Sequence, residues 1–252
     1  MNIVLLGSGK VATQIGKALH NAGIPVAQVY SPTLEHAQTL AMQVHAKAIS
    51  ELTELTKNAD VYIISVKDDA ILGLVDQLDL GDKLVLHTSG STAMDVLKAA
   101  STHYGVLYPL QTFSFDKAVD FSQVPIAVEA SSPEIAKQLE ALAHKLSPKI
   151  IQMTSEQRLI LHIAAVFACN FSNHLYAIAE QLLENKGISF DYLRPLIAET
   201  AANVQQALPS EVQTGPAIRK DEKILQKHLD FLKEQPPLQE IYRLLSQSIV
   251  NL

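Results

Sequence analysis

Short apolar runs alternate with amphipathic stretches from the start of the chain to about Met153. The runs are bounded by turn residues, which is typical of strands buried on both faces of a sheet. The stretches between them repeat apolar residues every three or four positions, which predicts helices. The predicted strands are Ile3–Leu6, Val26–Tyr30, Val61–Val66, Leu84–His87, Gly105–Tyr108, Ile126–Val128 and Ile150–Gln152. The predicted helices are about Lys10–Ala22, Leu34–Val44, Ala70–Leu78, Thr92–Ala100 and Pro133–Leu146.

The pattern changes at Thr154, where a predicted helix cap, Thr154 or Ser155, precedes a periodic apolar stretch without proline or glycine up to Lys186. At 1.5 Å per residue this predicts a helix on the order of 45–50 Å long. Three more helices are predicted, at about Phe190–Ala207, Asp221–Lys233 and Leu238–Val250. The sequence therefore predicts an α/β domain over residues 1–153 and an all-α domain with one long helix over residues 154–252.

The long predicted helix is apolar on nearly all sides between Leu161 and Phe171. One small domain cannot cover such a helix, and a second copy of the chain is the simplest way to bury it. The sequence therefore predicts a homodimer formed through the helical C-terminal domain, which would also contribute to substrate binding.

A glycine-rich turn lies between the first predicted strand and the first predicted helix. The spacing is GxGxxA, and in dinucleotide-binding folds such a turn lets the backbone approach a pyrophosphate at a helix N-terminus. The predicted cofactor-binding residues of this turn are Gly7, Ser8, Gly9, Lys10, Val11 and Ala12. This motif and the strand–helix alternation predict a Rossmann-like, mainly parallel, doubly wound sheet. A glycine turn that binds no ligand is the alternative.

The second predicted strand ends at Tyr30-Ser31-Pro32-Thr33, without the acidic residue that usually binds the ribose of NAD. A carboxylate there would repel a 2′-phosphate, whereas the hydroxyls of Ser31 and Thr33 can donate to one. The sequence therefore favours NADP over NAD, although the arginine usual in NADP sites is missing. The alternative is that these residues form only a turn and a helix cap.

Three later strand ends should lie at the same edge of the sheet, where ligands bind in folds of this type. The predicted cofactor contacts there are Val66, Lys67, Ser89 and Gly90, and the predicted substrate contacts are Tyr108 and Gln111. The alternatives are helix caps at Asp68 or Asp69 and at Ser91 or Thr92, and a buried aromatic role for Tyr108.

Polar residues recur along the long predicted helix. His162, Val166, Asn170 and His174 lie four residues apart on one stripe, and its polar members suggest the wall of a cleft between the domains. We predict His162, Asn170 and Tyr108 as catalytic residues, and His174 and Arg219 as substrate-binding residues beside Gln111. The alternatives are polar groups satisfied in the core and, for Arg219, a solvated basic turn.

Composition excludes several classes of protein. The 252 residues are 48% hydrophobic and 18% charged, with a net charge of −6, which argues against disorder and against nucleic-acid binding. The single cysteine, Cys169, excludes a disulfide within the chain and a cysteine-based zinc site. No dense cluster of metal ligands, signal peptide or membrane span is expected, and a cytoplasmic location is predicted.

The motifs GSGKVA, ADVYIISVKDDAI, LVLHTSGS, YPLQTFS, HIAAVFACNFSNHLY and GPAIRKD together resemble a bacterial family of NADP-dependent oxidoreductases. Its members pair a Rossmann-like domain with a helical C-terminal domain of unknown function. The chain is more distantly similar to pyrroline-5-carboxylate reductase and to the 6-phosphogluconate and 3-hydroxyisobutyrate dehydrogenases. The resemblance implies dimers or larger assemblies with the active site between the domains.

The resemblance also assigns individual positions. Asn170 matches the helix asparagine of the hydroxyacid dehydrogenases, but Val166 stands where they have a catalytic lysine. His162, one turn earlier, is the nearest titratable replacement. Tyr108-Pro109 resembles the His-Pro motif of prephenate dehydrogenases, with tyrosine in place of the histidine.

These observations predict an oxidoreductase that transfers hydride between NADP(H) and a small carbonyl, imine or hydroxy-acid substrate. The alternative is a dinucleotide-binding protein without turnover, such as a redox sensor or a regulatory subunit. Val166 in the position of the lysine supports that alternative.

Overall fold

The computed structural model describes residues 1–251, and its centre is one eight-stranded sheet in the order β3-β2-β1-β4-β5-β6-β7-β8. All neighbouring strands are parallel except β6 and β7, which are antiparallel. The predicted α/β class with a mainly parallel sheet is therefore confirmed. The strands are β1 Ile3–Leu6, β2 Val26–Tyr30, β3 Lys47–Ile49, β4 Val61–Ile64, β5 Leu84–His87, β6 His103–Pro109, β7 Ile126–Ala130 and β8 Ile150–Gln152.

Helices cover both faces of this sheet. They are α1 Lys10–Asn21, α2 Leu34–Val44, α3 Asp68–Val75 and α4 Pro133–Ala143, with short 3-10 turns at Leu52–Glu54, Met94–Ala99 and Phe121–Gln123. Alternate side chains of β1 explain the two layers. Ile3 and Leu5 pack with α1, α2 and α4, whereas Val4 and Leu6 pack with α3. The fully apolar run of β1 thus fills two cores at once.

The long C-terminal helix begins at a capping box, in which Thr154 and Gln157 exchange side-chain-to-backbone hydrogen bonds. It continues as α5 Ser155–Ala165, a π-helical segment Val166–Phe171 and α6 Ser172–Glu184. The π segment has i to i+5 bonding, so residues eight apart no longer follow the α-helical register. The single α-helical stripe predicted through His162, Asn170 and His174 is therefore wrong in its geometry.

Two predicted features, one helix and one helix cap, differ from the structure. The predicted helix Thr92–Ala100 is a 3-10 turn that starts at Met94, because hydrogen bonds to Ser89 and Arg158 engage the backbone of Thr92. Asp68 does not cap α3 but lies inside its first turn, and its carboxylate accepts a hydrogen bond from the Ser91 hydroxyl.

The chain divides into two compact units, Met1–Asn173 and the remainder from His174. The second unit contains most of α6, a 3-10 turn Phe190–Leu193, α7 Arg194–Asn203, α8 Glu222–Phe231 and α9 Pro236–Asn251. The Asp221 side chain caps α8 as predicted. The boundary proposed from sequence, between residues 153 and 154, remains a prediction.

One helix, Ser155–Glu184, has the length and apolar composition of a membrane span, with a mean hydropathy of 1.3 in its most apolar window. None of that window is buried in the single chain. Length and composition alone are weak evidence for a span, because core helices meet the same criteria.

Candidate active site

The glycine turn is held by three strand ends. The N–H of Gly7 donates to the carbonyl of Tyr30 at 2.8 Å, and the N–H of Ser65 donates to the carbonyl of Leu6 at 2.8 Å. Gly7 has a φ of +128°, and a side-chain Cβ there would lie 2.2 Å from the carbonyl oxygen of Ser65. The close approach of β1 and β4 therefore requires glycine at this position.

The start of α1 suits a diphosphate. Its N-cap is Gly9, which makes no side-chain cap, and its first turn contains no acidic residue. By contrast, α2, α3 and α4 each carry Asp or Glu in the first turn. A Cβ on Gly9 would meet no atom within 4 Å, so open space adjoins the free N–H groups of the helix. Ala12 is fully buried in the core, where its small side chain fits the predicted close packing.

A cavity of about 850 Å³ opens from this turn across the carboxyl ends of β1, β2, β4, β5 and β6. It is large enough for a dinucleotide or a similar ligand. Most of the predicted cofactor residues line it: Gly7, Ser8, Gly9, Lys10, Val11, Ser31, Thr33, Val66, Lys67, Ser89 and Gly90. Tyr108, Gln111 and His162 line it as well. The structure thus brings together residues predicted from separate stretches of the sequence.

Tyr108 and His162 meet at one end of the cavity. The phenol oxygen of Tyr108 lies 3.0 Å from Nδ1 of His162, and the two rings contact edge to face. Gly90 lies beneath both rings, since a Cβ there would be 2.8 Å from the imidazole and 2.9 Å from the phenol ring. Any side chain at position 90 would therefore displace the pair.

The Tyr108 phenol keeps its proton at neutral pH. Burial raises the pKa of this phenol, the charge of Arg158 opposes the shift, and the Asp68 carboxylate adds to it. A protonated phenol beside an imidazole can donate a proton and be reprotonated by its neighbour.

The loop from Thr88 to Thr92 is fixed by its own side chains. The Ser89 hydroxyl accepts hydrogen bonds from the N–H groups of Ser91 at 3.1 Å and Thr92 at 2.9 Å. Nδ1 of His87 accepts from the N–H of Ser89 at 3.2 Å. Since Nδ1 is an acceptor, His87 is a neutral imidazole with its proton on Nε2.

Behind this loop lies an ion pair that the sequence did not reveal, between the buried Arg158 and the partly buried Glu129. The Arg158 guanidinium donates to the carboxylate of Glu129 and to the carbonyl of Thr92. The N–H and hydroxyl of Ser155 also donate to Glu129, at 2.9 and 2.8 Å. These contacts join α5, β7 and the loop after β5.

Several further residues line the cavity: His36, Ser65, Asp68, Thr88 and Phe113. No ligand contact was predicted from the sequence for His36, Asp68 or Phe113. His36 lies in the first turn of α2, and a signal for it was available, since the first turn after β2 faces the ribose in this fold. Thr33 stands at the N-cap of α2 but makes no side-chain cap, which leaves its hydroxyl available to a ligand.

Four predicted residues do not line the cavity, and one of them is Ala12, which is buried in the core. Asn170 is exposed in the π segment. His174 and Arg219 belong to the second unit, where both are exposed. Their predicted roles remain predictions. Within residues 1–251, no group of three or more histidine, cysteine or acidic side chains is placed to hold a metal.

Two family models match the chain. "NADP oxidoreductase coenzyme F420-dependent" matches residues 2–90, which contain the glycine turn and the loop after β5. The domain of unknown function DUF2520 matches residues 124–249, which is half of the chain. The two models together cover most of the described residues.

Solved structures show the same architecture. A Bacteroides fragilis protein assigned to the NADP oxidoreductases is 45% identical, with a TM-score of 0.93 over 100% of this chain and 98% of that one. An imine reductase from Myxococcus stipitatus in complex with NADP⁺ is 15% identical, with a TM-score of 0.66 over 100% and 92%. The 1-pyrroline-5-carboxylate reductase of Streptococcus pyogenes is 13% identical, with a TM-score of 0.68 over 100% and 99%. The last two show a shared fold.

Among curated proteins, glutamyl-tRNA reductase of Methanococcus maripaludis is 30% identical over 97 residues. That match covers 37% of this chain and 25% of the reductase. The chain therefore corresponds to only a quarter of the length of that relative.

Proposed function

The chain belongs to the DUF2520 family and is 45% identical to a Bacteroides fragilis protein assigned to the NADP oxidoreductases, and on that premise we propose that it reduces a small imine or carbonyl compound with NADPH. The class, an NADP-dependent oxidoreductase, follows from the oxidoreductase family model over residues 2–90 and from the 45% identical structure, and the predicted cofactor and resemblance are confirmed. The substrate class and the catalytic residues are our proposal. A hydroxy acid would be the substrate of the reverse reaction.

One observation carries the proposal: a single cavity contains both the glycine turn and the Tyr108–His162 pair. NADPH would supply the hydride. The residues at the start of α1 would bind the pyrophosphate, and Ser31 and Thr33 would bind the 2′-phosphate. Ser89 and Gly90 would border the nicotinamide end, beside the two rings.

The protein's own chemical contribution is a proton. The Tyr108 phenol would donate it to the carbonyl oxygen or imine nitrogen, and His162 would return a proton to the phenol through Nδ1. Burial keeps the phenol protonated, so the donor is ready at neutral pH. Phe113 on the cavity wall would help to exclude water from the reacting atoms.

The test is consumption of NADPH with a panel of cyclic imines and small ketones. Replacing Tyr108 by Phe, or His162 by Gln, should lower turnover by about 10²- to 10⁴-fold while leaving NADPH binding nearly unchanged. Tyr104→Phe is the matched control, because Tyr104 lies on the same strand but does not line the cavity. Equal turnover in all three variants would refute the assignment of the pair.

A dinucleotide-binding protein without turnover is the second candidate. It is favoured by Val166, an apolar residue in the position where the hydroxyacid dehydrogenases have their catalytic lysine. This candidate predicts tight NADPH binding and no oxidation with any member of the panel.

We also propose a homodimer formed by the second unit. Its helices α7, α8 and α9 contain no buried residue within a single chain, although large apolar side chains occur along each of them. A second copy is the occupant best suited to such faces, because a surface this apolar rarely stays open to water.

A further inference from the structure

Arg158 is the largest fully buried side chain of the described residues, at 1% exposure, yet it plays no part in the chemistry proposed above. It lies four residues before His162 on α5, so both side chains point to the same face of the helix. Both also contact the same loop. Arg158 donates to the carbonyl of Thr92, while the His162 ring lies against Gly90.

We propose that Arg158 is a positioning residue, which fixes α5 against the loop after β5 so that His162 meets Tyr108 in one arrangement. The inference rests on the proposed function, in which that pair supplies the proton. Arg158 does not itself line the cavity.

Arg158 connects α5 to two other parts of the fold. Arg158 bridges two acceptors that are far apart in sequence, the Glu129 carboxylate on β7 and the Thr92 carbonyl. Ser155 strengthens the same junction, because its hydroxyl donates to Glu129 and accepts from the N–H of Met94 at 3.0 Å. The helix is thus tied at its first turn to β7 and to the segment that carries Gly90.

Close packing leaves little room for α5 to move against the loop that carries Gly90. The space for a Cβ at Gly90 is already occupied by the imidazole and the phenol, so the helix and the loop are at contact distance. A small movement of α5 would either lengthen the 3.0 Å contact between Tyr108 and His162 or push the rings into the loop. A misplacement of about 1 Å at a reacting group can cost a factor of about 100 in rate.

Arginine suits this position better than lysine does. A guanidinium has several donors in a planar fork and can satisfy two acceptors at once, whereas a lysine ammonium is a point charge. A buried ion pair is often dispensable for stability, since apolar residues can replace both partners without loss. Positioning therefore explains this arginine better than stability does.

The experiment compares Arg158→Met with the double variant Arg158→Met/Glu129→Gln. The single variant leaves the Glu129 carboxylate without its cation and should lower the melting temperature. The double variant removes that charge and should recover most of the loss, so that a folded protein without the bridge can be studied. Lys98→Met, which removes an exposed lysine paired with Asp95, is the matched control.

Two readouts separate positioning from folding. The first is the ¹⁵N spectrum of the histidines, with His162 assigned by its absence in His162→Gln. In the double variant, the His162 signals should move toward those of Tyr108→Phe, in which the contact is broken. The second is kinetic: kcat should fall by about 10- to 100-fold, while the Kd for NADPH stays within about threefold.

Each outcome is decisive. Unchanged His162 signals in the well-folded double variant would overturn the positioning role. Arg158→Lys should show the same kcat and the same His162 signals as the double variant. Wild-type values in Arg158→Lys would show that the positive charge alone is needed, and would overturn the role of the bridge between two acceptors. If the wild-type protein shows no turnover, the proposed function fails, but the NMR comparison still decides the role of Arg158.

Discussion

The two units of the chain obtain their structures by different means. In the first unit, apolar side chains fill continuous cores on both faces of the sheet. Among residues 174–251 of the second unit, the buried apolar side chains are Ala217 and Leu232, while residues such as Leu196 and Leu244 are 62% and 56% exposed. Both parts of the sequence are rich in apolar residues. The difference is therefore where those residues are buried: within the chain in one case, and against a second copy, as we propose, in the other.

The largest effect should come from the second unit. Leu196→Asp together with Leu244→Asp should convert a dimer into a monomer, because both charges would be buried at the interface. A dimer with a micromolar dissociation constant would lose about 8 kcal/mol of association free energy. Analytical ultracentrifugation measures this directly. The control is Met42→Asp, at a residue of the first unit that is 73% exposed, and it should change nothing. If the wild-type protein stays monomeric at high concentration, the proposed dimer is refuted, and with it the proposed difference between the two units.

A smaller effect, confined to the first unit, is expected for Gly7→Ala. The added Cβ would collide with the Ser65 carbonyl, and the positive φ is strained for alanine. Together these should cost about 3 kcal/mol of unfolding free energy. NADPH binding should be lost as well, because the turn that we propose binds the pyrophosphate would move. Urea unfolding and calorimetric titration are the measurements. Gly73→Ala, where a Cβ meets no atom within 4 Å, is the control, and equal losses in both variants would contradict the argument.

The smallest effect concerns acid stability and also belongs to the first unit. His87 is fully buried, and burial, aided by the charge of Arg158, lowers its pKa to about 4. The unfolded chain therefore binds a proton that the folded protein rejects between pH 6.5 and about 4. Stability should fall in that window as the pH falls, by about 2 kcal/mol between pH 7.5 and pH 5 from this residue alone.

The measurement is the free energy of unfolding of His87→Gln against pH, beside the wild-type protein. The variant should show a shallower decline below pH 6.5. His144→Gln, at an exposed histidine of the same unit, should keep the wild-type slope. Parallel curves for His87→Gln and the wild-type protein would mean that His87 titrates normally in the folded state.

The sheet was predictable because its strands are continuous apolar runs with clear turn signals. β1, β2, β5 and β8 begin and end where the pattern predicts. β3, Lys47–Ile49, was missed because it is three residues long and only Ile49 is buried. Apolar periodicity also cannot detect the π segment, since the residues 166–171 are apolar on most sides in either helix type.

The candidate site was predictable in its parts but not in its contacts. Tyr108 and His162 were each singled out, yet their hydrogen bond joins residues 54 positions apart and depends on the fold. Arg158 was missed because arginine is usually a surface residue, and nothing local marks this one as buried. Ser89 was predicted as a cofactor contact, and it lines the cavity, but the sequence did not reveal that its hydroxyl also closes the loop by accepting hydrogen bonds from two backbone N–H groups.

That closed loop has a thermodynamic consequence for the affinity of the cofactor. Fixing the backbone of a flexible residue costs about 1–2 kcal/mol of conformational entropy. In the loop from Thr88 to Thr92 this entropy is already lost when the protein folds, because the hydroxyl of Ser89 and the contact between Ser91 and Asp68 fix the backbone. At the proposed site, NADPH would therefore meet a surface that is already ordered, and more of its contact energy would be retained as affinity.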